Sequence, residues 1–332
     1  MQHDVVGLGN AIMDALVRIE DDSILTELGL TRGQMHPVGE ARWREVHDRV
    51  QHLGVESASG GSCANTVSTM ALLGARVQYC GQIGHDPFGE AYARSMTATC
   101  GGHALVRSQE HATGKCLSLI SARDGERTML TDLGAAVLLP ALGDFANSIR
   151  QARLLHLTGY LFLDGPIRNA AFEAVRTARA AGVPISLDVA DPFVARSKTE
   201  DMRKLLQEVV TVGFLNREEA EAVTGKPAVE AVEEIGSWCK VAVVKLGSEG
   251  SLVHMNGTTV RIPVFRVPVA DTTGAGDAYA GGFLHGWLHG WSSERCGELG
   301  SRVAALTVSQ VGAVCRDRAA ITEALRIVSA TA

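Results

Sequence analysis

The sequence has no excess of positive charge, no paired cysteines, no apolar run of bilayer length and no low-complexity tract. Its 31 Lys and Arg stand against 37 Asp and Glu, a net charge of −6 at pH 7. Bulk nucleic-acid or anionic-membrane binding needs a positive field, so both are excluded as main partners. A bilayer-spanning helix needs about 20 apolar residues, and no such run occurs. Residues 1–22 lack a basic region and meet acids early, which does not read as a signal peptide. The seven cysteines (63, 80, 100, 116, 239, 296 and 315) are odd in number and form no Cys-x-x-Cys. That argues against a disulfide frame or a zinc site and for reduced thiols in a cytoplasmic protein.

Two nucleotide motifs are also missing. There is no Gly-x-x-x-x-Gly-Lys-Ser/Thr, which excludes a P-loop. Gly7-Leu8-Gly9 opens like a dinucleotide fingerprint but lacks the third small residue, against a dehydrogenase. His285 and His289 have helical i,i+4 spacing, yet no third ligand is evident, so they read as packed or surface histidines.

What is present is a full-sized core: 332 residues, 46% hydrophobic and 20% charged. Short apolar runs alternate with helical periods. Strands are predicted at Val5–Gly9, Val77–Cys80, Leu154–Leu157, Ile185–Leu187, Val212–Leu215 and Val241–Leu246. Helices are predicted at 64–73, 90–99, 169–181, 198–209, 217–223, 230–239, 275–288, 294–311 and 319–328. Such alternation implies a mainly parallel sheet flanked by helices. Residues 16–38 and 105–133 break the rhythm. Cys116–Ile120 and Thr128–Thr131 look like a hairpin turned at Arg123-Asp124-Gly125. The expected organisation is a large α/β unit (1–15, 39–104 and 134–332) with a small β lid (16–38 and 105–133).

The most informative segment is Asp271-Thr272-Thr273-Gly274-Ala275-Gly276-Asp277. It is a turn of small residues opening a helix. Amides of Gly274, Ala275 and Gly276 would point from the helix N-terminus, which suits an anion. Asp277 lies beside that anion hole, where a carboxylate can take a proton from a hydroxyl attacking a γ-phosphate. A lone Asp there would otherwise read as a helix-start acid. Gly281 and Gly282 allow close helix packing, at a propensity cost of about 1 kcal/mol each.

This segment resembles the second signature of the ribokinase-like (PfkB) carbohydrate and nucleoside kinases. Four further motifs follow the family order. Gly60-Gly61-Ser62-Cys63-Ala64-Asn65 is similar to its first glycine motif, with Cys63 where a smaller residue is usual. Gly84-His85-Asp86-Pro87-Phe88-Gly89 resembles its G-x-D-x-F-G box, Asn216-Arg217-Glu218-Glu219 its N-x-x-E motif, and Lys245-Leu246-Gly247-Ser248-Glu249-Gly250 its nucleotide-binding turn.

The resemblance implies an ATP- and Mg²⁺-dependent kinase with Asp277 as general base. It makes Asn10, Asp14, Gly60, Gly61, Ser62 and Asn65 acceptor-side residues, with Asp14 and Asn65 on sugar hydroxyls. Capping is the alternative for Asn10 and Asn65. It implies that Asn216 and Glu219 serve the nucleotide, with Glu219 holding Mg²⁺ through water, since no core or cap role is obvious for it. Lys245, Gly247, Ser248 and Gly250 would hold the nucleotide by backbone contacts. Asp271 and Thr273 resemble ligands of the monovalent cation (K⁺) of many members, and the need for K⁺ stays open.

Residues 22–42, Thr113–Cys116 and 127–136 resemble the lid of the adenosine-kinase branch. Met129, Thr131 and Leu133 share one face of a strand, apolar enough to cover a nucleobase or to pack the lid's own core. Arg127, on that face, either meets the transferring phosphate on closure or is a solvated arginine. Tyr160 or Phe162 is the candidate base-stacking aromatic. Many sugar kinases of the family have an acid at the end of this strand; here Thr158-Gly159 stand there and no acid comes before Asp164, which favours a nucleoside over a free sugar.

The expected reaction is transfer of the γ-phosphoryl group to the 5′-hydroxyl of a purine nucleoside, adenosine first, as in purine salvage. A sugar or sugar-acid kinase is the alternative. A ligand sensor without turnover is opposed by the intact Asp277, Asn216 and Glu219. Monomer and homodimer both fit.

Overall fold

A computed structural model describes residues 2–330. Its strands are β1 Val5–Leu8, β2 Ile12–Ile19, β3 Met35–Pro37, β4 Glu56–Gly60, β5 Val77–Cys80, β6 Gln82–Gly84, β7 Val106–Ser108, β8 Gly114–Ser121, β9 Arg127–Asp132, β10 Leu155–Thr158, β11 Ile185–Asp188, β12 Val212–Asn216, β13 Val241–Lys245, β14 Ser251–Met255 and β15 Thr258–Ile262. Eight form the main sheet, in the order β15-β14-β13-β12-β11-β10-β1-β5. The neighbours from β5 to β13 run parallel, because helical crossovers join them. The edge hairpin β14–β15, not foreseen in the sequence, is antiparallel.

The parallel strands are buried along almost their whole length, as strands covered on both faces must be. One apolar layer includes Leu157, Phe162, Ile185, Leu187, Leu215 and Ala242. The opposite layer includes Cys63, Val67, Tyr79, Phe214, Val243 and Phe283. In that second layer the helices Ser62–Leu72 and Ala275–Leu288 lie on the sheet with their N-termini at its C-terminal edge. Open α/β sheets bind ligands at that edge.

A second sheet, β3-β9-β8-β2-β4, forms the lid. Its hairpin β8–β9 pairs Ile120 with Arg127 across the predicted turn. The lid is larger than the sequence boundary drew. β2 runs from Ile12, only three residues after β1, and β4 pairs antiparallel with it. Residues 12–15 and 56–60 therefore belong to the lid sheet rather than to the main one. The helix Glu40–Val50, also unforeseen, sets Trp43, Val46 and Val50 against Val17, Leu119 and Leu130 in a separate lid core. Within the expected lid range, Val106–Ser108 pairs instead with Gln82–Gly84.

Among the described residues, no helix is long and apolar enough to cross a membrane.

The glycines of Ala275–Leu288 set the depth at which that helix packs. A Cβ on Gly281 would meet Thr69 at 2.8 Å, and one on Gly282 would meet the Gly300 Cα at 2.9 Å. Gly282→Leu should therefore destabilise the fold by about 1–3 kcal/mol through overpacking. Denaturant unfolding measures this, and an unchanged midpoint would contradict the close packing.

Candidate active site

Two helix N-termini converge on one carboxylate. The helix Ser62–Leu72 follows Gly61, whose φ of 96° is left-handed. A side chain there would strike the Asn10 carbonyl, so glycine is required for steric reasons as well as conformational ones. The helix Ala275–Leu288 follows Gly274, at φ 72°, where a Cβ would strike the backbone of Ala313. Asp277 sits in its first turn. Ser62 Oγ donates to one carboxylate oxygen at 2.6 Å, and Asn65 Nδ2 donates to the other at 2.8 Å. Thr66 Oγ1 donates to the Asp277 carbonyl at 3.2 Å.

Burial raises the Asp277 pKa, the Ser62 and Asn65 hydrogen bonds oppose the rise, and the nearby Asp188 charge adds to it. The amide of Ala275 is partly engaged, donating to Thr272 O at 3.3 Å. Those of Gly274, Gly276 and Asp277 have no acceptor among the described residues, so the positive helix end stays open to an anion.

On the acceptor side, Asp14 lies on β2 with its carboxylate against the Gly60 Cα, where a Cβ would collide with it. Its side chain has no hydrogen bond among the described residues, and burial pushes its pKa up to about 7. Asn10 donates to Ala136 O at 3.3 Å, and its Oδ1 is buried without a partner. Asn65 Oδ1 is likewise buried and unpartnered. Neither asparagine is a helix cap. Asn65 gives one of its two amide N–H donors to Asp277, so it helps to fix that carboxylate, and its acceptor oxygen is left free.

The turn expected to hold the nucleotide follows β13. Gly247, Ser248 and Gly250 line a cavity of about 450 Å³ together with Ala275 and Gly276. Its far wall escaped the sequence reading: Phe265, Val267 and Val269 from the coil after β15, and Ala304, Ala305 and Val308 from the helix Ser293–Val308. Phe265 and Val269 are exposed apolar residues, so this wall presents apolar surface to the cavity.

Several expectations change. Glu219 does have a capping role. It is the N3 residue of a capping box: Asn216 Oδ1 accepts from Glu219 N at 2.9 Å, and Glu219 Oε2 accepts from Asn216 N at 2.8 Å. Glu219 is buried, its pKa lifted to about 7 by burial against the pull of Lys245. Each of its oxygens accepts one hydrogen bond from Asn216, which leaves lone pairs for water and so fits a role beyond a metal's inner ligands. Among the described residues, no cluster of three acidic, His or Cys side chains could hold a metal directly.

Phe162 is fully buried and packs edge-on against Phe172 at 5.3 Å, so it is core and not a stacking platform. Tyr160 is half-buried, and its hydroxyl donates to Asp191 at 2.9 Å. On β9, Thr128, Leu130 and Asp132 are buried, while Arg127, Met129 and Thr131 are half-buried. The lid core thus uses the other face of the strand and leaves Met129 and Thr131 free of it. Leu133 lies past the strand end and is 43% exposed, so it does not extend that face.

Arg127 is not solvated. It hydrogen-bonds Thr273 Oγ1 and ion-pairs with Asp271, clasping the lid onto the turn before the anion hole. Asp271 also accepts from Gly312 N at 2.9 Å and from Thr273 N at 2.9 Å. The side chains expected to bind K⁺ are therefore occupied by a guanidinium, and no step is assigned to a monovalent cation. Cys63 is a packing residue, as expected: its Sγ contacts His156 O at 3.6 Å under Gly7 and Gly9. His285 and His289 stack at 4.5 Å, and burial lowers His285 to about 4.

Two acids were missed. Asp188 ends β11 and pairs with Lys245 Nζ at 2.7 Å. Asp191 caps the short helix Pro192–Ser197 and holds Tyr160. The signal for Asp188 was its place at the C-terminal end of a central strand.

This geometry has counterparts among known proteins. The pfkB family carbohydrate kinase model matches residues 35–317. A crystal structure of adenosine kinase from Sinorhizobium meliloti superposes with a TM-score of 0.88 at 32% identity, covering 98% of this chain and 99% of that one. An uncharacterized sugar kinase of Archaeoglobus fulgidus is 30% identical over 248 residues, 74% of this chain and 96% of that protein. Adenosine kinase of Saccharomyces cerevisiae is 27% identical, covering 94% of this chain and 96% of the yeast protein. A glycine-opened helix end beside a half-buried carboxylate, on a ribokinase-like sheet with a β lid, thus identifies the chain: it belongs to the pfkB family of carbohydrate kinases and is a phosphotransferase acting on an alcohol group.

Proposed function

We propose that this kinase transfers the γ-phosphoryl group of ATP to the 5′-hydroxyl of a purine nucleoside, adenosine first. The observation that carries this reading is the charge of the acceptor side. Asp14 offers a carboxyl group without a hydrogen bond, ionised above about pH 7, and Asp277 lies within its electrostatic reach. The arginine in the same neighbourhood, Arg127, is neutralised by Asp271. Such a site suits a neutral polyol, whose hydroxyls donate to carboxylates, and repels an anionic acceptor. The half-buried Met129 and Thr131 supply an apolar cover for a base. Similarity to the Sinorhizobium adenosine kinase over 98% of the chain supports the same substrate class.

Asp14, with the Asn10 and Asn65 carbonyl oxygens, would orient the sugar so that one hydroxyl faces Asp277. Asp277 accepts that hydroxyl's proton as its oxygen attacks the γ-phosphorus in line. The Gly276 and Asp277 amides hold the phosphoryl oxygens. Mg²⁺, held through water near Glu219, would neutralise phosphate charge. The lid, clasped by Arg127, excludes water. The buried free thiols, several pushed up to about 11 or 12 by burial, fit a cytoplasmic location.

A free neutral sugar is the second reading. It is favoured by the removal of Phe162 to the core, which leaves Tyr160 as the remaining candidate to stack on a base.

Three outcomes are expected. In an ADP-release assay with ATP and Mg²⁺, adenosine should turn over well ahead of ribose, fructose or 2-keto-3-deoxygluconate. Turnover with ribose alone would discard the nucleoside. Asp277→Asn should cut kcat by about 10²–10⁴, the contribution of a positioned base, while calorimetry still detects acceptor binding. In the wild type, the acid limb of kcat should lie above the ordinary carboxylate range, because a base with a raised pKa loses activity as pH falls through that higher value.

Asp14 gives a stability test. Its folded carboxyl keeps a proton to about pH 7, against a reference value of 3.8. Between these values the folded state binds more protons, so this group costs stability as pH rises through the window. Asp14→Asn should therefore raise the melting temperature increasingly from pH 4 to pH 8, at the expense of acceptor binding. A pH-independent gap would refute the shift.

A further inference from the structure

We propose that the side chain of Lys245 is a catalytic residue of this kinase, and that its ammonium holds the γ-phosphoryl group during transfer while Asp188 anchors it. Family resemblance assigned only the backbone of this turn to nucleotide binding. The inference rests on the phosphotransferase activity and not on which alcohol accepts.

The first observation is position. Lys245 is the last residue of β13, in register with Asn216 and Ser251. Its side chain runs along the first turn of the helix Ala275–Leu288. A Cβ on Gly276 would lie 3.0 Å from Nζ, 3.7 Å from Cε and 3.8 Å from Cδ. The ammonium is thus beside the open amides of the anion hole, and Lys245 lines the same cavity as Gly247, Ser248 and Gly250.

The second observation is unused donor capacity. An ammonium has three N–H donors. Among the described residues, Nζ has one acceptor, Asp188 Oδ2 at 2.7 Å. The Lys245 side chain is 16% exposed and that of Asp188 is 1% exposed, so solvent reaches the site mainly from the cavity. Two donors are left for a ligand arriving there.

The third observation is charge. Burial works against the Lys245 cation, but Asp188 and Glu219 outweigh it and hold its pKa above the ordinary lysine value. The ammonium stays protonated throughout, so it acts as a fixed charge and not as an acid. Tethering to Asp188 restricts its position, which makes the charge preorganised.

In the step itself, the acceptor oxygen forms a bond to the γ-phosphorus. The bond from that phosphorus to the β,γ-bridging oxygen breaks, and its electron pair stays on the departing ADP. The hydroxyl proton goes to Asp277. Lys245 keeps its proton, donating one hydrogen bond to Asp188 and another to a γ-phosphoryl oxygen. ADP lacks that group, so Lys245 should favour ATP over ADP in binding as well as stabilise the transfer.

The test compares Lys245→Met, Lys245→Arg and the double variant Lys245→Met/Asp188→Asn with the wild type. The readouts are kcat and KM, the ATP and ADP dissociation constants, and Tm. Lys245→Met should lower kcat by about 10²–10³, as removal of one preorganised donor does. It should weaken ATP while leaving ADP unchanged, and Lys245→Arg should recover part of the rate. The double variant removes the buried unpaired carboxylate, so it should regain Tm without regaining kcat. If kcat returns with Tm, Lys245 only neutralises Asp188 and the proposal falls. It falls equally if Lys245→Met leaves the preference for ATP over ADP intact. That preference is read without an acceptor, so failure of the nucleoside reading would leave this test standing.

Discussion

A carboxylate partly withdrawn from water needs hydrogen bonds to hold it, and the half-buried Asp277 imposes that constraint on the rest of the site. Two hydrogen bonds from Ser62 and Asn65 fix its oxygens. They come from the first turns of one helix, while Asp277 stands in the first turn of another. Both helix ends must therefore reach the same point at the sheet's C-terminal edge. Gly61 and Gly274 make both helix starts sterically possible. Gly281 and Gly282 let the second helix settle against Thr69 and Gly300, which fixes its N-terminus in depth. The anion hole and the base are thus one construction, and neither could shift without the other.

The lid depends on a comparable knot of hydrogen bonds. Asp86 accepts from Gly89 N at 2.8 Å as the cap of the helix Pro87–Cys100. The same carboxylate accepts from Thr113 N at 2.6 Å and Thr113 Oγ1 at 2.8 Å. Thr113 Oγ1 in turn accepts from Gly84 N at 2.9 Å. Thr113 immediately precedes β8, so this knot sets where the lid strand leaves the large unit. The box Gly84–Gly89 is therefore a mounting for the lid, with Gly84 too crowded by Asp86, His111 and Thr113, and Gly89 by the Gly84 carbonyl and Thr113, to carry side chains.

Much of this was legible in the sequence, for identifiable reasons. Parallel strands announce themselves as short apolar runs, and β1, β5 and β10 to β13 were all legible from them. The turn at 271–277 was legible because small residues before a helix leave amides free. The lid boundary was not, because β1 passes into β2 with only Gly9, Asn10 and Ala11 between them, and no composition shift marks the change of sheet. Phe162 was ambiguous for a different reason: an aromatic after a strand packs into the core or faces the ligand depending on a single turn of 3₁₀ helix. The capping box of Asn216 and Glu219 was visible in the spacing Asn-x-x-Glu, yet the resemblance pointed to a metal role alone. Lys245 and Asp188 lie 57 residues apart. Their pairing follows from strand order, which sequence periodicity does not report.

The clasp of Arg127 links these two constructions. Asp271 and Thr273 begin the turn that ends in the anion hole, and Asp271 also takes the Gly312 amide. One short segment therefore serves as the lid's catch and, in the proposed mechanism, as the phosphate's cradle. Any movement of β9 away from the large unit must break a buried ion pair, in which Arg127 is 15% and Asp271 4% exposed. That would leave the Asp271 carboxylate without its counter-charge next to the site where phosphate arrives. Two anionic groups side by side repel most strongly where water is scarce. Opening would thus be disfavoured if a phosphate binds at that turn as proposed, and the same closed lid holds the half-buried Met129 and Thr131 in place. The attachment of the lid strand and the neutralisation of Asp271 are consequences of a single arginine on a single strand face.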